Sequence, residues 1–208
     1  LTITNIKNET AVTAEGYIPN ALTDTTLKGK ISPAEITGDI NLTYCAGIIG
    51  YVGKGVTVDK CTVDLNATVN TPPEATFTGS IAEYVAEDGS VTNCTAGSVR
   101  NRDKNNMGGI TGLNCGTITD CTLEGTVVGK GNVGGIAAVN AGTIERSTVN
   151  GDIYGYEQNI GGVTGFNAIG AIIDSATISC NIEGTGIHVG GLIGYENGGT
   201  FEGTFNSG

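Results

Sequence analysis

The sequence predicts an all-β chain, a single-stranded parallel β-helix (β-solenoid) of about seven coils of 26–34 residues, and three observations carry that prediction. Composition is the first: 35 of 208 residues are Gly, only 15% are charged, Trp is absent and Thr is frequent, a mixture that suits strands joined by tight turns. Self-similarity along the whole chain is the second. The third is that apolar residues recur at fixed offsets within each repeat and show no 3.6-residue helical spacing.

Taking the residue before the first apolar position as the anchor, the strongest copies begin at Gly109 (GITGLN), Gly135 (GIAAVN), Gly162 (GVTGFN) and Gly191 (GLIGYE). Gly47 (GIIGYV) and Ser80 (SIAEYV) open weaker copies, followed by VTVDKCTV and SVTNCTAGSV. A seventh copy comes from laying GYIPNALTDTTLKGKI (16–31) over GLNCGTITDCTLEGTV (112–127), which puts its anchor at Thr13. The anchors 13, 47, 80, 109, 135, 162 and 191 are then spaced by 34, 33, 29, 26, 27 and 29 residues. A period of this size made of short β-runs is that of a solenoid coil. The whole of 1–208 is therefore expected to form a single solenoid domain, either complete or a fragment of a longer protein.

Three apolar columns mark the expected interior. The position after the anchor reads Ala14, Ile48, Ile81, Ile110, Ile136, Val163 and Leu192. A second column holds Leu22, Val58, Val91, Ile118, Ile144 and Ile173, and a third holds Leu27, Val63, Ala96, Leu123, Val149 and Ile178. Three columns imply three walls around one interior, and coils stacked at the ~4.8 Å spacing of neighbouring strands would give a rod roughly 34 Å long. Length varies only between the third β-run and the next anchor: 32–44, 70–78 and 101–107 are long where GKGNV is short, so insertions are expected along one edge.

Polar columns sit among the apolar ones. Asn114, Asn140 and Asn167 share a position just before a turn, where stacked amides can hydrogen-bond along the rod axis. Cys61, Cys94 and Cys121 occupy one column, continued by Ser147 and Ala176, which reads as a ladder of small buried residues. A disulfide between neighbouring coils is the open alternative, since strand spacing falls within the allowed Cα separation. Four residues after the anchor stand Tyr17, Tyr51, Tyr84, Leu113, Val139, Phe166 and Tyr195. With strict alternation this column faces outward as an aromatic stripe suited to stacking on sugar rings; with a bend at the motif glycine it is core.

The units GIIG, GITG, GVTG and GLIG, followed by Asn and then Gly-Thr-Ile, resemble the GLUG motif, a glycine-rich repeat of bacterial surface and secreted proteins, including adhesin-like proteins and non-catalytic regions of IgA-cleaving peptidases. The resemblance is good over 107–195, fair over 45–99 and weak in the first coil, and it departs at Glu83 and Ala138, where the second motif glycine is missing. It implies a parallel β-helix, right-handed as in the family, on a bacterial exterior.

Chemistry is mostly absent from the sequence. There is no HExxH, GxSxG, Walker or nonapeptide calcium pattern, no cysteine pair with metal-ligand spacing, and no cofactor is expected. The one histidine, His188, falls in the 185–188 connection and reads as a solvated side chain. The column of Asp120 runs Asp24, Lys60, Asn93, Asp120, Arg146 and Ser175, so it offers no row of carboxylates for general acid and base. A net charge of −11 disfavours nucleic acid and anionic membranes, and no apolar run is long enough for a membrane-spanning helix. The expectation is a secreted or cell-surface bacterial module, not an enzyme, that presents a binding surface to a host glycan or protein or spaces neighbouring domains of a longer chain. The alternative is a polysaccharide lyase or glycosidase with an unrecognised acidic site. Asn-x-Thr sequons at Asn8, Asn41, Asn66 and Asn93 matter only in a eukaryotic secretory route.

Overall fold

The structure is a computed structural model that describes the strands Thr2–Thr4, Lys30–Ile31, Ala34–Thr37 and Ile40–Asn41 together with residues 46–64, 68–70 and 75–207. Tyr17, Leu22, Leu27, Cys45, Asn66 and the anchor Thr13 lie outside the described residues. Every described element is a strand, and the strands pair in parallel from coil to coil to form three sheets, the walls of a parallel β-helix. The first wall contains Ile49–Val52, Ala82–Val85, Thr111–Asn114, Ala137–Asn140, Thr164–Asn167 and Ile193–Glu196, so five coil-to-coil steps separate its end strands.

The pairing places equivalent residues over one another. Ala137 pairs with Thr111 on one side and Thr164 on the other, and Ile118 pairs with Val91 and Ile144. Inside, Ile81, Ile110, Ile136 and Val163 form one fully buried column. Burying an aliphatic side chain of this size contributes about 1.5–3 kcal/mol.

The second and third sequence columns belong to one wall, on either side of a corner. Thr57–Asp59 and Cys61–Val63 are halves of one second-wall run, and the residue between them, Lys60, has φ 55°. The same left-handed conformation recurs at Asn93, Asp120, Arg146 and Ser175, with φ between 44° and 61°, so the column with scattered charges is a backbone corner. At this corner the cysteines serve the backbone. Cys61 N–H donates to Cys94 Sγ (3.4 Å), Cys94 N–H to Cys121 Sγ (3.5 Å) and Cys121 N–H to Ser147 Oγ (3.3 Å). Each sulfur donates back to the carbonyl two residues earlier, Asp59, Thr92 or Thr119. The column holds buried thiols with no disulfide between its coils.

The third wall is where the sequence reading needs correction. Val127–Gly134 and Ile153–Gly161 are continuous strands, so GKGNV is strand, and it carries its own buried columns: Val69, Val99, Val127 and Ile153, then Met107, Val133 and Ile160. The loop 101–106 interrupts this wall between Ser98–Arg100 and Met107–Gly108. The first coil is also shifted. Ile31, not Leu22, takes the register of Val58, and Ile36, not Leu27, that of Val63, which places the coil nine residues later. Ala34–Thr37 is therefore a second-wall strand and not an insertion, and Ile40–Asn41 joins the third wall beside Thr68–Asn70. The likeness of TDTTL (23–27) to TDCTL (119–123) is local, whereas register follows the buried positions of the next coil.

Candidate functional site

The aromatic column faces outward. Tyr51, Tyr84, Leu113, Val139 and Phe166 are half-buried and Tyr195 is 38% exposed, whereas the next residues, Val52, Val85, Asn114, Asn140 and Asn167, are fully buried. Register aligns these side chains up the first wall, and rings that meet stack: Tyr51 on Tyr84 with centroids 5.0 Å apart, Phe166 on Tyr195 at 5.4 Å. Leu113 and Val139 separate the two stacks, so the stripe is two aromatic platforms joined by an aliphatic stretch. Hydrogen bonding to Cys115, then partial burial, push the Tyr84 phenol up to about 12.

Directly inside this wall the asparagines form a hydrogen-bonded chain. Asn114 Nδ2 donates to Asn140 Oδ1 (2.8 Å), Asn140 Nδ2 to Asn167 Oδ1 (2.9 Å) and Asn167 Nδ2 to Glu196 Oε2 (2.9 Å). Their oxygens also accept the Gly116 and Gly142 N–H groups, so the amides satisfy the turn between the first and second walls. Their role in the structure is to tie successive coils of the platform wall to one another.

A second ladder runs up the third wall, one that the sequence pattern does not announce. Asn106, Asn132 and Asn159, each three residues before an anchor, are joined at 2.7 Å per step, and Asn106 Nδ2 donates to Thr76 O at 2.9 Å. All three have positive φ, between 48° and 59°, which Asn tolerates better than most residues. His188 continues the column at φ 58°, with Nδ1 2.9 Å from Asn159 Oδ1. Because Asn159 Nδ2 already donates to Asn132, that oxygen accepts and the imidazole carries its proton on Nδ1. His188 is thus held at the end of an amide chain, its ring 5.2 Å from that of Tyr195. The available signal was the repeated Asn before a Gly-Gly pair in NNMGG, GNVGG and QNIGG, with IHVGG as the variant.

The second ladder and the upper platform meet at one hollow lined by Gln158, Asn159, Phe166, His188, Tyr195 and Asn197. It combines an aromatic face with amide and imidazole groups, a set able to stack on a ring and hydrogen-bond its hydroxyls.

Carboxylates are placed differently. Burial raises the Glu83 carboxyl above its ordinary value, Asp59 accepts from Thr92 Oγ1 and Asn93 Nδ2 at 2.9 Å, and Asp120 is bound in a fork by Arg146 at 3.0 and 3.2 Å. Among the described residues no group of three or more His, Cys, Asp or Glu side chains is arranged to hold a metal ion, and no helix is long and apolar enough to cross a membrane. Comparison of the chain with protein-family models, curated proteins and solved structures finds no match.

Proposed function

We propose that this chain is a non-catalytic, adhesin-like module of a bacterial surface or secreted protein, presenting its first wall to a host glycan. The observation that carries the reading is the pair of outward aromatic platforms, the upper of which borders the hollow lined by Gln158, Asn159, His188 and Asn197. Ring stacking supplies contact area, and the ladder-held Asn159 and His188 supply direction. The GLUG-like repeats support an exterior setting, and a rigid rod suits a role in which position is the output.

A glycan array paired with a reducing-sugar assay tests the proposal. Binding without product is expected, and Tyr195→Ala should weaken that binding by about tenfold, as loss of one stacking face of roughly 1–1.5 kcal/mol implies. Release of reducing ends by the wild-type chain refutes the module and establishes an enzyme.

A further inference from the structure

The basic residues of this acidic chain are not evenly spread. Of 10 Lys and Arg in a chain of net charge −11, Arg100, Arg102, Lys104 and Lys130 occupy one region of the third wall. The loop 101–106 brings them together: Arg100 pairs in register with Val128, Lys130 N–H donates to Lys104 O, and Arg102 reaches across to the next coil but one. There its guanidinium carbon lies 4.1 Å from the centre of the Tyr156 ring. Two adjoining hollows share Arg102 and Tyr156; Arg100 lines one of them, and Lys130 and Asp103 the other. Arg100, Arg102 and Lys130 line these hollows with Asp103, and Glu157 lies 3.3 Å from Lys130; Asp152 and Glu183 stand farther along, beside Tyr154.

We infer that this cleft binds the carboxylate or sulfate groups of an acidic polysaccharide, whose rings extend onto the Phe166–Tyr195 platform. A guanidinium stacked on an aromatic ring is fixed in orientation and keeps its edge N–H groups for a bidentate anion contact. Strand Ile153–Gly161 carries Tyr156 in the cleft and, two residues on across a bulge in its pairing with Val127–Gly134, Gln158 in the aromatic hollow. One extended ligand can therefore use both. A positive cleft on a negative body also selects: it draws acidic groups to one place while the rest of the surface repels them. The inference rests on the glycan-binding reading above and names the class of glycan.

The test titrates the whole chain with heparin, polygalacturonate, neutral dextran and inorganic sulfate. Heparin and polygalacturonate should bind and dextran bind at least tenfold more weakly, with affinity for the acidic polymers falling as NaCl is raised. Arg102→Ala and Lys130→Ala should each weaken acidic-polymer binding by roughly tenfold, while Arg146→Ala, an exposed arginine on another wall, leaves it unchanged. Circular dichroism checks that each variant is folded, and Arg102→Lys serves as a second variant that keeps charge and loses the fork. Unchanged affinity in the Arg102 and Lys130 variants overturns the inference, as does inorganic sulfate binding as tightly as the polymers. If neutral glycans bind through Tyr195 and acidic ones bind no better, the acidic class falls and the glycan reading stands. If no glycan binds wild type, both fall.

Discussion

Thr78 stands in the register column of Met107 and Val133, fully buried, and its hydroxyl has no hydrogen-bond partner among the described residues. A buried, unpaired hydroxyl costs about 1–3 kcal/mol, so Thr78→Val, which keeps the shape, should stabilise the chain by about 1 kcal/mol, read as a higher urea midpoint at unchanged slope. Cys94 is the opposite case, a buried polar atom fully used. Its hydrogen bond with Cys121, then burial, push the thiol well above its ordinary value, and burial pushes Cys180 up to about 11. Unfolded thiols ionise near 8.5, so above that pH the folded state holds protons that the unfolded state has released. Stability from Cys94 is therefore full below about pH 8.5 and falls as pH rises, by about 2 kcal/mol at pH 10. Cys94→Ser keeps an acceptor for the Cys61 N–H, as Ser147 does for Cys121, and should flatten this alkaline decline in denaturation midpoints measured from pH 8 to 10. An equally steep decline in the variant would place the titrating group elsewhere.

At the scale of the strand and its corner, the glycine before each anchor sets how tightly the third wall turns into the first. A Cβ built on Gly79, Gly108, Gly134, Gly161 or Gly190 would fall well inside contact distance of the carbonyl oxygen three residues on. Gly134→Ala should cost about 2–3 kcal/mol, since either the corner opens or the strand Ala137–Asn140 shifts. Ala46, aligned with Gly79, shows that the cost is finite. Gly50→Ala, with nothing within 4 Å of the added carbon, should change the thermal midpoint little. The elements legible in the sequence were those whose inward positions are apolar in every coil, as at Ile110, Ile136 and Val163. The third wall was not, because glycines take inward positions there: a Cβ on Gly129 would meet the side chains of Met107 and Val133. Alternation built from V, G and G reads as a turn until the facing coil is known. The Asn106, Asn132 and Asn159 ladder was masked for the same reason, Asn beside Gly being also the signature of a turn. The aromatic column was visible, but its direction was not, because one bend at the motif glycine would have reversed it.

Over the whole molecule, each wall strand pairs only with its equivalents in the coils above and below, so cohesion is nearest-neighbour and stability need not be uniform along the rod. Ile110, Ile136 and Val163 are fully buried, whereas Leu192 in the coil anchored at Gly191 is only partly buried and Ile187 and Val189 are 60% and 44% exposed. Amide exchange should accordingly be slowest across the coils anchored at 109 and 135 and faster across 187–196. Ile136 is the point at which to perturb this gradient. Its carbonyl accepts both Ile110 and Thr111 N–H at 3.0 Å, and its own N–H donates to Val163 O at 2.9 Å. Ile136→Ala removes a fully buried side chain at a cost of about 2–4 kcal/mol, paid first by the interfaces that share the cavity. Exchange at Thr111 and Thr164 should accelerate by at least tenfold under native conditions, while amides of Thr57–Asp59, three coils from Ile136, keep their wild-type rates. A uniform acceleration along the chain would mean that the coils open together, and the rod would then be one cooperative unit whose platforms cannot loosen independently.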